Sequence, residues 1–179
     1  MMVLYDLKNG KKLEIRKIHD DDAYEVVDVW TRMGGETENL TFGLEDFYFT
    51  PEQQKNFIKN ISYRENCLYI CGLIDGRIVS VLSFMTSSNK RLMHRGDLGI
   101  GVLKDSWGIG VGNALMDYFF RWAASTGTVK KVDLEVRDDN TAAIALYKKW
   151  GYKIEGKIER GMCINGRFCD LYHMGRLIG

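Results

Sequence analysis

Between Gly96 and Ser125 the chain passes from an alternating apolar run, through a six-residue stretch of which three are glycine, into an amphipathic helix. Few folds accommodate that passage. A strand is expected over Gly96–Leu103, with Leu98, Ile100 and Val102 on one face and Asp97, Gly99 and Gly101 on the other. A strand bare on one face invites a ligand or another backbone. The helix expected over Asn113–Ser125 carries Leu115, Phe119, Trp122 and Ala123 on one stripe and stops at Gly127. Between them, Trp107-Gly108-Ile109-Gly110-Val111-Gly112-Asn113 opens the helix with small residues. Unpaired amides and the positive end of the helix dipole converge there, a seat suited to a pyrophosphate. A dinucleotide fingerprint needs its third glycine one residue later, where Asn113 stands, and a Walker loop needs a G-K-[ST] that is absent.

The flanking segments place this junction in an α/β domain. A first strand is expected over Lys12–Ile18. Asp20, Asp21 and Asp22 then start a helix that runs to about Met33 and ends at Gly34-Gly35. Glu36–Phe49 mixes acids and aromatics without a period and reads as a loop. Thr50, Pro51 and Gln53 form a capping-box start for a helix to about Ser62. Strands over Leu68–Ile74 and Arg77–Met85 flank the hairpin dipeptide Asp75-Gly76. A strand over Val129–Val136 follows, then a short helix from Asn140 to Trp150. Two long strands around Asn165-Gly166 close the chain. The sum is about seven strands and four helices in one domain spanning residues 1–179.

Composition excludes several classes. The 179 residues carry 45% hydrophobic and 27% charged side chains and one proline, the balance of a folded globule rather than a disordered or collagenous chain. No apolar run reaches the ~18 residues of a membrane helix, and the start lacks the apolar core of a secretory signal, so a cytoplasmic protein without membrane partners is expected. Net charge is +1, which does not favour nucleic acid. The charge is divided, however, with eleven acidic and three basic side chains between residues 14 and 52 and a basic excess afterwards. Cys67 and Cys71 lie too far apart in one strand to bridge. The register around Asn165-Gly166 places Cys163 opposite Phe168 and Met162 opposite Cys169, so all four cysteines are expected reduced. Their spacing matches no zinc site, and no metal is expected.

The glycine loop resembles the [RQ]-x-x-G-x-[GA] signature of the GNAT superfamily of acyl-CoA-dependent N-acetyltransferases. Gly110 and Gly112 fit its small positions, while Trp107 stands where Arg or Gln is usual. The resemblance continues in Leu134-Glu135-Val136, Asn140, Ala143, Leu146-Tyr147, Gly151-Tyr152 and Glu155-Gly156, which look like L-x-V, N-x-x-A, L-Y, G-[FY] and E-G. It is similar above all to single-domain bacterial members of the ribosomal-protein and spermidine acetyltransferase type.

That resemblance implies a mixed, mostly antiparallel sheet whose fourth and fifth strands splay apart around acetyl-CoA. Backbone groups of Ile100 and Val102 would pair with pantetheine, and Trp107, Gly108, Ile109, Gly110, Val111, Gly112 and Asn113 would hold the pyrophosphate. Asn140, Ala143, Tyr147 and Lys149 would border the cofactor, with Lys148 or Lys104 as further phosphate partners. Transfer is attack of a neutral amine on a thioester in a ternary complex, so a proton must leave the ammonium and another must reach the thiolate. The resemblance makes Tyr147 the general acid and Glu135 or Asp97 the base, with a water chain or the pooled acids of the early segment as the alternative to a single residue. His19, His94 and His173 pair with no nucleophile, and Ser80 and Ser83 lack an elbow context.

Placement of charge suggests that Glu36, Glu38, Phe42, Glu45 and Asp46 receive the acceptor, a small cationic amine, a polyamine or a protein N-terminus. Two other readings remain open at this stage: an idle acyl-CoA-binding module of the same fold, and dinucleotide binding. A homodimer through the C-terminal hairpin is a further expectation.

Overall fold

The computed structural model describes residues 2–44, 46 and 49–179. Among the described residues eight strands form one sheet: β1 (Val3–Asp6), β2 (Lys12–Lys17), β3 (Leu68–Ile74), β4 (Arg77–Thr86), β5 (Arg95–Val102), β6 (Lys131–Arg137), β7 (Lys153–Ile164) and β8 (Arg167–Leu177). Their order across the sheet is β1-β2-β3-β4-β5-β6-β8-β7, and every pairing is antiparallel except β5 with β6. Helices α1 (Ala23–Glu36) and α2 (Pro51–Ser62) cover one face. Helices α3 (Val111–Thr126) and α4 (Thr141–Lys149) lie against the other.

Strand alternation explains this two-sided covering. On the α3 side, Leu13, Ile15, Ile70, Leu82 and Phe84 are buried against Leu115, Met116 and Phe119. Phe84 meets Phe119 at 5.2 Å and Trp122 edge-on at 5.9 Å. On the α1 side, Tyr69, Cys71 and Val81 pack under Val26, Trp30, Met33 and Ile58. A buried aromatic of this kind costs about 3–5 kcal/mol to truncate to alanine, so the sheet is a rigid floor for what lies on it.

The β5–β6 pairing creates the feature that matters for function. Only Arg95↔Lys131, Gly96↔Val132 and Asp97↔Asp133 are in register; beyond them the strands part. The splay implied by the family resemblance is therefore present, between the fifth and sixth strands because β1 precedes the expected set. That extra strand was missed, although Asn9-Gly10 is a turn dipeptide and Gly10 has φ 81.

Helix boundaries differ instructively. Helix α1 does not stop at Gly34-Gly35 but runs to Glu36. A side chain at Gly34 would meet the carbonyl of Gly43 at 2.8 Å, so that glycine admits a crossing backbone. Helix α3 starts at Val111 with Gly110 as N-cap, two residues ahead of expectation. The Thr50–Gln53 capping box forms as read: Gln53 N donates to Thr50 Oγ1 at 3.2 Å and Thr50 N to Gln53 Oε1 at 2.8 Å. Asp75 and Asn165 have φ 52 and 49, followed by Gly76 and Gly166 at φ 78 and 79, as two-residue hairpins require. Met162 pairs with Cys169 and Cys163 with Phe168, and all four cysteines are free. Among the described residues no helix is long and apolar enough to cross a membrane.

Candidate active site

A cavity of about 1100 Å³ fills the fork between β5 and β6 and runs from the glycine loop to α1 and α2. Its glycine-loop end is a cradle of backbone. Gly108 and Gly110 have φ 75 and 107, conformations that side chains other than glycine rarely adopt. The first bond of α3 runs from Ala114 N to Gly110 O, which leaves the amides of Val111, Gly112 and Asn113 open at a helix start without acidic residues. Gly108, Gly110, Val111, Gly112 and Asn113 line the cavity; Ile109 does not, and its carbonyl accepts from Lys8 N at 3.0 Å. The β1–β2 turn thus braces the loop and brings Lys8 to the cavity wall, a residue that no reading of the sequence had singled out.

Along β5, the amide of Leu103 bonds Val79 O on β4, so alternation turns the N–H and C=O of Ile100 and Val102 toward the fork. There the Trp107 indole Nε1 donates to Val102 O at 2.7 Å. The side chain that replaces the usual Arg or Gln therefore caps one of the two backbone groups expected to meet pantetheine, and the second lone pair of that carbonyl stays open. The bare face of β5 is shared between protein and cavity. A side chain at Gly101 would strike Met33 Sδ at 2.6 Å and Trp30 at 2.8 Å, whereas Gly99 faces the cavity beside Ser83.

On the opposite wall, Asn140 caps α4 by accepting from Ala143 N at 3.2 Å, and Asn140, Ala143 and Tyr147 all line the cavity. Tyr147 is 7% exposed, and burial pushes its phenol well above the ordinary tyrosine value, so it stays protonated. Lys149 reaches the cavity, its Nζ donating to Asn113 Oδ1 at 2.8 Å. Lys148 and Lys104 do not line it; Lys104 offers only its backbone N–H to Glu36 Oε2.

Asp97 and Glu135 both line the cavity on the α1 side of the sheet. Asp97 is in the last register pair of the fork, opposite the fully buried Asp133, whose charge is met by Lys131 Nζ at 3.1 Å and Arg95 Nε at 3.4 Å. Glu135 is the next residue on that face, the first carboxylate past the split. Asp97 and Glu135 are exposed.

The acidic lip is not where charge counting placed it. Glu36 accepts the Lys104 amide at 2.7 Å; Glu38 is held by Arg167 at 2.9 Å and Arg137 at 3.6 Å; Asp46 accepts the Gly43 amide at 2.8 Å. None of the three lines the cavity, because each satisfies a backbone amide or a guanidinium instead. Glu45 lies outside the described residues. Phe42 does line it, edge-on to Trp30 at 5.6 Å. The acceptor end is otherwise built from residues the sequence reading had not singled out: Met33, Leu40, Phe57, Gln54 and Tyr69, together with Trp30. Their signal was faint, since a buried glutamine on an apolar helix face and a tyrosine within a fully buried strand read as packing.

The lip is fastened by Arg137, which is 7% exposed. It makes a two-pronged pair with Asp139 at 2.9 and 2.7 Å and donates to Glu38 O at 3.1 Å.

Residues 37–152 match the Acetyltransferase (GNAT) family. The L-amino acid N-acetyltransferase AaaT of Escherichia coli K12 is 31% identical over 119 residues, which cover 66% of this chain and 74% of that protein. The crystal structure of the acetyltransferase of GNAT family from Streptococcus pneumoniae superposes with a TM-score of 0.90 at 32% identity, covering 93% of this chain and 99% of that one. The structure of yncA from Salmonella typhimurium with acetyl-CoA shares the fold, with a TM-score of 0.82 at 15% identity over 93% of this chain and 94% of that one.

Proposed function

Because the chain belongs to the Acetyltransferase (GNAT) family, with acetyl-CoA as co-substrate as in the Salmonella typhimurium neighbour solved with it, we propose that it transfers the acetyl group to a primary amine by direct attack in a ternary complex, with Glu135 as base and Tyr147 as acid. The observation that carries this reading is the fork itself. One cavity joins an open amide cradle to a buried, protonated tyrosine on one wall and an exposed carboxylate on the other.

The chemistry of the cradle supports this co-substrate. Amides of Val111, Gly112 and Asn113 hold the pyrophosphate, with Lys8 and Lys149 at the same end, and the backbone of Ile100 and Val102 receives the pantetheine amides as a neighbouring strand would. Acetyl-CoA supplies an activated acyl group in a thioester. Glu135 removes the proton that the acceptor ammonium must lose before its nitrogen can attack. As the C–N bond forms and the C–S bond breaks, Tyr147 gives its phenolic proton to the departing sulfur, the second proton that the nitrogen sheds on becoming an amide restores the phenol, and Glu135 releases its proton to solvent. A general acid of this kind is worth about 10²–10⁴ in rate.

The acceptor is an α-amino compound. This rests on the Escherichia coli relative, whose name states an L-amino acid as its substrate, and is supported by the engagement of Glu36, Glu38 and Asp46 with partners outside the cavity.

Thiol release from acetyl-CoA, with and without Tyr147→Phe, tests the proposal. Turnover that falls at least tenfold in the variant while CoA affinity stays within twofold supports it; equal turnover in both forms refutes the Tyr147 acid, and CoA binding without turnover against any amine favours an idle module.

A further inference from the structure

The acceptor end of the cavity contains one buried polar cluster that the chemistry above does not use. Tyr69 is 6% exposed and Gln54 1% exposed, and both line the cavity. The Tyr69 hydroxyl oxygen accepts from Trp30 Nε1 at 3.0 Å and from Gln54 Nε2 at 3.1 Å. An indole N–H and an amide N–H can only donate, so both lone pairs of the phenol are engaged and its own proton must go to a third group. Burial pushes the phenol up to about 12, against the pull of the two donors, so the proton stays in place at neutral pH.

The surroundings define what that third group can be. Tyr69, Ser83 and Gly99 are register partners on neighbouring strands of the same face, and Glu135 follows across the fork. The floor between the hydroxyl-bearing residue and the base is therefore one serine and one glycine, open to a small molecule. The walls are Trp30, Met33, Leu40, Phe42 and Phe57, with the uncharged polar residues Thr37, Asn39 and Thr41 of the lip beside them. Among the described lining residues the only cations are Lys8 and Lys149, both at the glycine loop. Among the described residues the charged lining groups at the acceptor end are Asp97 and Glu135, so a free carboxylate would meet negative charge without a described counter-ion.

We propose that Tyr69 is a specificity-determining residue whose hydroxyl donates to an uncharged carbonyl of the acceptor, and that the acceptor is an α-amino amide with an apolar side chain. This rests on the acetyltransferase reading above and narrows its substrate, away from the free amino acid that the name of the Escherichia coli relative states. The α-amine faces Glu135, the side chain lies among the aromatics, and the amide carbonyl meets Tyr69. A free amino-acid amide and the first residue of a peptide present this same chemistry.

The test compares four acceptors on the whole protein by thiol release: L-phenylalaninamide, a tripeptide amide beginning with phenylalanine, free L-phenylalanine and 2-phenylethylamine. The amide is expected to exceed both the free acid and the carbonyl-free amine about tenfold in kcat/KM, the worth of one well-placed hydrogen bond. A tripeptide turned over as well as the amide identifies peptide N-termini as the source, and one that is rejected identifies small amides; either supports the proposal. Tyr69→Phe should erase the preference over 2-phenylethylamine and leave the acetyl-CoA KM unchanged, a split that a merely structural role would not produce. Should that variant fail to fold, the wild-type ratios decide. Equal use of phenylalanine or of 2-phenylethylamine, or a preference that survives in Tyr69→Phe, overturns the inference while leaving acetyl transfer standing. No release from any amine and no thermal stabilisation by CoA overturns the acetyltransferase reading with it.

Discussion

Gly110→Ala isolates the cradle from the rest of the site. Gly110 has φ 107, while the nearest atom to a new Cβ would be Leu7 Cδ2 at 4.0 Å, so the substitution meets strain without a clash. Holding alanine in such a conformation costs about 1–3 kcal/mol. Part of that cost destabilises the fold, and for a chain of this size each kcal/mol lowers Tm by roughly 2–4 °C. The remainder is relieved by moving the loop, which turns the Val111, Gly112 and Asn113 amides off their common target. A comparable loss at the cradle weakens CoA about 10- to 100-fold. Gly127→Ala is the matched control: φ is 66, nothing lies within 4 Å, and the residue sits at the far end of the same helix. Calorimetric CoA titration and urea unfolding on both variants should show similar losses of stability, with affinity lost only in Gly110→Ala. Unchanged CoA affinity in Gly110→Ala, beside a stability loss equal to that of Gly127→Ala, would refute the assignment of the loop as a phosphate seat.

Further perturbations probe other parts of the account. Glu135→Gln should lower kcat about 10²-fold or more, with an acetyl-CoA KM within twofold of wild type in steady-state assays, and Asp97→Asn should cost less. Arg137→Met breaks the Asp139 pair and the bond to the Glu38 carbonyl; urea unfolding should show a loss of about 1–3 kcal/mol, and the acceptor KM should rise while that of acetyl-CoA holds. For Asp22, burial pushes the carboxyl up, but the two-pronged Arg16 pair and the His19 amide outweigh it and hold the group below its ordinary value of 3.8. Its stabilisation is therefore present above that pH and lost as pH falls through the lower folded value. Asp22→Asn should be less stable than wild type at pH 7 in urea titrations, and the difference should shrink on acidification below about pH 4.

Local chemistry was legible in the sequence wherever it acts over a few residues. The capping box at Thr50, the hairpins at Asp75-Gly76 and Asn165-Gly166, the glycine loop and the alternation of β5 all follow from steric and hydrogen-bonding rules with short range. Gly34 misled because a glycine in a helix has two uses, as a stop or as room for another backbone, and only the crossing of Gly43 distinguishes them. The acidic lip misled for a related reason: a count of carboxylates carries no direction. Glu36, Glu38 and Asp46 turn toward partners 68, 129 and 3 residues away, and only the folded chain brings the first two together. The acceptor wall of Trp30, Gln54 and Tyr69 was least legible, since its residues come from α1, α2 and β3 and each looks like ordinary core on its own element.

Mass-spectrometric analysis of the reaction products, run alongside thiol release, tests the central claim most directly. Incubation of the protein with acetyl-CoA and an α-amino amide should yield one N-acetylated amine for each thiol released, with no acetyl group left on the protein. Thiol release without an N-acetylated product, or an acetylated protein residue that forms and decays with turnover, would contradict direct transfer in the fork between β5 and β6.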